Sequence, residues 1–119
     1  MTRQALIDFC LTFPAAYEDY PFYGDAHSDD GKWAMMRHGA NKKGFAHIYE
    51  RNGKLCANLK CDPIEADVLR QAFDDVSPGW HQNKTHWNTV TLGGDVPLDE
   101  LKRMIAHSYD LIKPKTRKR

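Results

Sequence analysis

Asn52-Gly53 restricts the fold more than any other feature of this chain. The pair separates two segments of strand-forming residues, Phe45 to Arg51 and Lys54 to Cys61. Both central positions of a type I′ turn need positive φ, and Asn-Gly supplies them at little cost. A two-residue loop also dictates the pairing that follows it. Arg51 must face Lys54, Tyr49 Cys56, His47 Asn58 and Phe45 Lys60; in the intervening pairs Glu50 faces Leu55, Ile48 Ala57 and Ala46 Leu59. One side of the hairpin then reads Ala46, Ile48, Leu55, Ala57 and Leu59, which is core composition. The other reads Phe45, His47, Tyr49, Arg51, Lys54, Asn58 and Lys60, aromatic and basic together. A sheet with one solvated face gives such alternation for structural reasons alone. The same composition also suits nucleic acid, because bases stack on rings and phosphates meet cations.

The other elements follow from periodicity and punctuation. Thr2 is placed to cap a first helix with the stripe Leu6, Ile7, Cys10, Leu11 and Phe13, which Pro14 ends. Tyr17 to Tyr23 reads as a strand that Pro21 restricts to an edge or an end. Gly24 to Gly31 is a polar loop with Asp25, His27, Asp29 and Asp30; it lacks the calcium-loop order and a closing glutamate, so a solvated turn is the simpler reading. Lys32 to His38 reads as a strand and Gly39 to Gly44 as a turn. Asp62-Pro63-Ile64-Glu65 opens a helix, with Asp62 as cap, Pro63 in first position and Ile64, Val68, Leu69, Ala72, Phe73 and Val76 as the buried stripe. Pro78-Gly79 signals a turn into a hairpin that reverses near Asn83-Lys84-Thr85 and leaves through the alternating Trp87 to Leu92. Gly93-Gly94 breaks that strand. A last helix begins near Pro97, Asp99 and Glu100, turns Leu101, Met104, Ile105, Ser108, Leu111 and Ile112 inward, and stops at Pro114.

The order α, several β, α, β, α with short connections predicts an α+β fold: two layers, an antiparallel β-sheet with helices packed on one face. The 119 residues form one domain, 1–113, followed by a basic tail, 114–119. The formal net charge of +1 neither demands nor excludes an acidic partner. No apolar run is long enough to span a membrane, and the N-terminus lacks a signal-peptide pattern. Three widely spaced cysteines suit reduced thiols in the cytoplasm. Cys10 lies on an apolar stripe; Cys56 and Cys61, five apart in one strand, point to opposite faces and neither pair nor clamp one metal. No phosphate-binding glycine loop, GxSxG, HExxH or CxxC is present. His107, Ser108 and Asp110 crowd one helix too closely for a catalytic triad. His81 and His86 have no cysteine or carboxylate beside them to complete a metal site. The chain is therefore expected not to be an enzyme and to carry no cofactor or metal.

The segment from Pro78 to Val90 concentrates the remaining chemistry: Trp80, His81, Gln82, Asn83, Lys84, Thr85, His86, Trp87 and Asn88. Lysine, asparagine and threonine hydrogen-bond phosphate, and tryptophan and histidine stack on bases. Alternatively the tryptophans are core anchors and the polar groups satisfy local backbone. This run, with Val96-Pro97, Ser108-Tyr109-Asp110-Leu111 and Lys60-Cys61-Asp62-Pro63, resembles the MmcQ/YjbR family of small bacterial proteins. The resemblance covers nearly the whole chain, from the first helix and Pro21-Phe22 to the Ser-Tyr-Asp-Leu end. Trp80 stands where the family has tyrosine, and Gln82 where methionine is common, which makes the hairpin more polar. The resemblance implies a frataxin-like (CyaY-like) fold, DNA binding through a double-wing arrangement, and no enzymatic activity; fold-level analogy is weak warrant for function.

Two readings of function follow. In the first the chain binds DNA, with the hairpins as wings and His81, Asn83, Lys84, His86, Trp87, Asn88, Arg51, Lys54 and Lys60 as contacts. In the second it is a protein-interaction or small-ligand module whose Trp/His cluster lines a pocket, which the near-neutral charge favours. An iron-related role, which the frataxin-like fold brings to mind, needs an acidic ridge, and Asp25, Asp29 and Asp30 form the only dense acidic loop. A monomer is compatible with the sequence, which does not specify oligomeric state.

Overall fold

The computed structural model describes residues 1–21 and 33–115. The acidic loop and the end of the basic tail lie outside them. The elements are α1 (Arg3–Cys10), β1 (Ala16–Asp19), β2 (Ala34–His38), β3 (Gly44–Arg51), β4 (Lys54–Lys60), α2 (Pro63–Ala72), β5 (Val76–Pro78), β6 (Trp87–Thr91) and α3 (Leu98–Ile112). The strands form one sheet in the order β1-β2-β3-β4-β6-β5, antiparallel throughout. Residues from all three helices share one core cluster with Ala46, Ile48, Ala57, Leu59 and Val90, so the helices lie on one face. This is the expected two-layer α+β architecture. No helix among the described residues is long and apolar enough to cross a membrane.

The Asn-Gly turn acts as its chemistry requires. Asn52 and Gly53 adopt φ of 54° and 75°, and the six pairs from Arg51–Lys54 to Ala46–Leu59 form in the expected register. Phe45 departs from it. Met36 pairs with Ala46 but Arg37 with Gly44, so Phe45 is the extra residue of a bulge. A bulge re-aims the side chain it carries. Phe45 is therefore fully buried on the helix side, not the open one, with ring centroids 5.9 Å from Phe13 and 5.3 Å from Tyr109. Ser108 on α3 pins this corner: its hydroxyl donates to Phe45 O (2.6 Å) and accepts from Lys60 N (2.9 Å).

Helix α1 is capped by Thr2, whose hydroxyl accepts from Ala5 N. Helix α2 is capped by Asp62, whose carboxylate accepts from Glu65 N, but it faces inward through a different stripe than expected. Ala66 and Leu69 are buried, whereas Ile64 is 78% and Val68 58% exposed. The helix is rotated because Arg70 takes an inward position, where its guanidinium donates to Asn88 Oδ1 (2.6 Å), Trp87 O (3.2 Å) and Lys84 O. Three acceptors satisfy the Arg70 charge, while Ile64 and Val68 remain in solvent. Leu11 and Leu111 are likewise exposed. Beside Leu111, Tyr109 is buried instead, stacking on Phe13 at 4.8 Å and donating to Pro14 O at 2.6 Å.

Candidate functional site

The face of the sheet opposite the helices is not simply solvated. Its central residues His47, Tyr49 and Asn58 are buried, against the expectation of a wet surface. Three tryptophans cover them. Trp33 stacks on Tyr49 with centroids 4.3 Å apart and rings 7° from parallel; Trp80 lies 5.2 Å from Tyr49 and 5.9 Å from Trp33; Trp87 meets His47 edge-on at 5.4 Å. Arg51 places its guanidinium 4.4 Å above the Trp80 ring, a cation–π contact.

Trp80 reaches the cluster because the segment before it does not turn where expected. Pro78 is the last residue of β5 and pairs with Asn88, and Gly79 N still donates to Trp87 O at 2.8 Å. A Cβ on Gly79 would meet Trp87 Cβ at 2.7 Å, so only glycine permits this approach. The loop 79–86 then folds back over the sheet, and a buried polar network holds it there. Asn58 Oδ1 accepts from Tyr49 OH (2.7 Å) and Thr89 Oγ1 (2.6 Å); Asn58 Nδ2 donates to Trp80 O (2.8 Å); Trp80 N donates to Thr89 Oγ1 (2.9 Å). Such fully paired networks fix one arrangement, since a broken one leaves buried groups unsatisfied.

The sequence-derived candidates separate under this geometry. Asn88 is buried on the helix side between Arg70 and Ala66 O. Asn83 accepts from Thr85 N and His86 N through Oδ1, shaping the turn. Lys84 does not project from a wing tip: its ammonium turns back to Gly79 O at 2.8 Å. His86 is exposed, and its backbone carbonyl accepts from Cys61 N. Trp87 is half-buried against His47. Arg51 and Lys54 face each other at one end of the β3–β4 hairpin; Lys60 lies at the opposite end of β4, beside Trp87. Those lysines form no single basic patch. The structure instead brings together Arg51, Trp80 and His81 from the candidates' neighbourhood with Trp33, His47 and Gln82.

Trp33, His47, Trp80, His81 and Gln82 line an open cleft of about 400 Å³. His81 stands at its rim in a left-handed conformation, φ 60°, its ring 4.1 Å from Trp80. Left-handed backbone in a non-glycine residue costs free energy and is retained where surroundings demand it. Burial, followed by the nearby Arg37 charge, pushes His47 down to about 4, so its imidazole is neutral at pH 7. Its Nδ1 accepts from Trp33 Nε1 at 3.1 Å, which leaves the ring proton on Nε2. His47 thus lines the cleft as a neutral, buried ring. A second hollow of about 270 Å³ adjoins Arg51 and Lys54 and includes Asp75, Thr89 and Thr91. Planar rings suit the first hollow, and anionic groups suit Arg51 and Lys54 on the wall of the second.

Trp33 is the member that sequence reasoning missed. The signal was available: in the strand containing Met35 and Arg37, alternation puts Trp33 on the side away from Ala34 and Met36, and Met35 pairs with His47.

The comparisons with known proteins agree with this fold. The YjbR family model matches residues 11–111. The chain is 31% identical over 109 residues to the uncharacterized protein YjbR of Escherichia coli K12, covering 92% of this chain and 85% of that one. It is 31% identical over 107 residues to the uncharacterized protein YyaQ of Bacillus subtilis, covering 82% and 81%. A crystal structure of a Pseudomonas syringae protein superposes with a TM-score of 0.80 at 28% identity, over 95% of this chain and all of that one. A Deinococcus radiodurans protein gives 0.79 at 33% identity, over 93% and 78%.

Proposed function

From the premise that the chain belongs to the YjbR family, we propose that it is a DNA-binding protein that takes unpaired bases on its open sheet face. A base enters the cleft between Trp33, Trp80 and His47, and Arg51 and Lys54 meet the flanking phosphates. The observation that carries this reading is the cluster of three tryptophans on the helix-free face with Arg51 against one of them. Exposed aromatics on an antiparallel sheet stack bases independently of sequence, at about 1–3 kcal/mol per base. Net charge of +1 suits stacking better than duplex binding, which draws mostly on phosphate neutralisation. The wing arrangement receives less support, because Lys84 is folded back and Lys54 and Lys60 lie at opposite ends of a strand. No catalytic step is part of this reading.

One observation favours a second reading, a small planar ligand: the cleft volume of about 400 Å³ falls in the usual range for ligand pockets. Tryptophan fluorescence titrations separate the two. Oligothymidylate of about 10 nucleotides, the matching duplex and a mononucleotide are titrated at two salt concentrations. The comparison includes wild type, Trp80→Ala, Lys84→Ala and a chain truncated after Pro114. Binding of the single strand in preference to the duplex, weakened about tenfold or more by Trp80→Ala and unchanged by Lys84→Ala, supports the proposal. Loss of binding only on truncation would make the basic tail responsible. A mononucleotide that binds as tightly as the oligomer would favour the small-ligand reading.

A further inference from the structure

We propose that Cys61, Glu65 and His107 form a binding site for one divalent ion of zinc's class, on the helix side of the sheet and separate from the aromatic cleft. Cys61 follows β4, Glu65 lies in the first turn of α2, and His107 lies in α3. Distant in sequence, they place a thiol sulfur, a carboxylate oxygen and an imidazole nitrogen all within 4.8 Å of one another. Thiolate, imidazole and carboxylate are the ligands zinc takes, at about 2.0–2.3 Å each, which puts tetrahedral ligands about 3.3–3.8 Å apart. His107 Nε2 and Glu65 Oε2 already stand at 3.5 Å. The widest pair has to close by only about 1 Å.

Two further observations point to a cation. First, the three side chains line one small cavity of about 10 Å³, with Leu59 and Met104 forming apolar walls. That is about the space of one water molecule, and a metal ion occupies less. Second, the carboxylate is held with one oxygen toward the imidazole. Arg103 holds Glu65 Oε1 at 2.7 Å, which turns Oε2 toward His107. His107 Nε2 accepts from Asp62 N at 3.3 Å, a long bond that engages its one lone pair and that the ion would have to replace. The Arg103 charge does not forbid the ion, because Glu100 shares it at 2.5 Å. Cys61 is held in place by its own amide, which donates to His86 O at 2.8 Å. Three protein ligands leave a fourth position for water, the arrangement of an open zinc site. Coordination displaces the thiol proton to solvent, with no change of oxidation state.

Cobalt(II) is the probe, because tetrahedral thiolate coordination gives a sulfur-to-cobalt charge-transfer band in the near ultraviolet. Titration into the reduced full-length chain should saturate at one ion per chain, and zinc should displace the cobalt and abolish the band. Cys61→Ser should remove the band, and Cys56→Ser, at the buried cysteine within β4, should leave it. Glu65→Gln and His107→Gln should each weaken binding by about tenfold or more. Urea unfolding without metal shows which variants fold. Should Cys61→Ser fail to fold, the near-isosteric Glu65→Gln and His107→Gln decide alone. No charge-transfer band with wild type, a band that survives Cys61→Ser, or unchanged affinity in both of the other variants overturns the site.

Discussion

Asn58→Ala should destabilise the chain by about 3 kcal/mol. Asn58 is fully buried, and its amide makes bonds to Tyr49 OH, Thr89 Oγ1 and Trp80 O at 2.6–2.8 Å. Each buried hydrogen bond contributes about 1 kcal/mol net, and a partner left without a bond costs about 1–3 kcal/mol. Trp80 is only half-buried, so its freed carbonyl can hydrate; Tyr49 and Thr89 are buried and cannot do so cheaply. That places the total near the simple sum, a large share of the roughly 5–15 kcal/mol available to a small domain. Tyr49→Phe removes one bond and leaves Asn58 Oδ1 paired with Thr89, so it should cost only about 1 kcal/mol. Thr89→Val should lie between, because it strands Trp80 N as well as removing a donor to Asn58. Urea unfolding followed by tryptophan fluorescence measures all three, since the network carries the Trp80 backbone. A cost for Asn58→Ala below about 1 kcal/mol, or equal to that of Tyr49→Phe, would mean that the network does not hold the loop.

Gly79→Ala should cost about 1–3 kcal/mol, because its Cβ would lie 2.7 Å from Trp87 Cβ and 3.0 Å from Trp87 O; a neutral result in the same urea assay would contradict that packing. His47 titrates at about 4 in the folded chain against 6.5 when free. Between those values the unfolded chain holds a proton the folded one lacks, so stability is full above the upper value and falls as pH drops toward the lower. The loss is on the order of 3 kcal/mol. Unfolding free energies measured across that window should show a shallower slope for His47→Gln than for wild type. Cys10, Cys56 and Cys61 are free and buried, and burial pushes Cys10 up to about 12 and, with Glu65 and Asp62, Cys61 up to about 11. Thiol titration should find all three in denaturant without reductant and little reaction in the native state; finding one would mean a disulfide.

Local chemistry was legible wherever one interaction dominates. Asn52-Gly53 leaves one hairpin register, and Thr2 and Asp62 cap their helices through side chains written directly in the sequence. What depended on tertiary competition was not legible. Phe45 left its predicted face because a bulge, visible only in the β2–β3 pairing, adds a residue to the strand. The inner face of α2 could not be read from hydrophobicity, since Arg70 prevails over Ile64 and Val68 through acceptors supplied by residues 84, 87 and 88. The candidate site was found as a composition rather than a geometry. Alternation put His47, Tyr49 and Arg51 on one face, but Trp80 reaches over them on a loop whose course is set by Gly79 and Asn58. Lys84, chosen because turns project side chains, folds back to Gly79 O, which accepts from its ammonium as well as from Gln82 N. Cys61, Glu65 and His107 carry no spacing signature, since three separate elements bring them together.

The most direct test of the base-stacking account uses the indole N–H signals of Trp33, Trp80 and Trp87 in two-dimensional proton–nitrogen NMR spectra. These are recorded while a short single-stranded oligothymidylate is added to the full-length chain at low salt. The account predicts that the Trp33 and Trp80 indoles shift progressively and saturably, that Trp87, which packs edge-on against His47 and does not line the cleft, shifts less, and that the backbone amides of residues 79–82 move with them. Shifts confined to the basic residues after Pro114, or indole signals that stay fixed at saturating oligonucleotide, would contradict it.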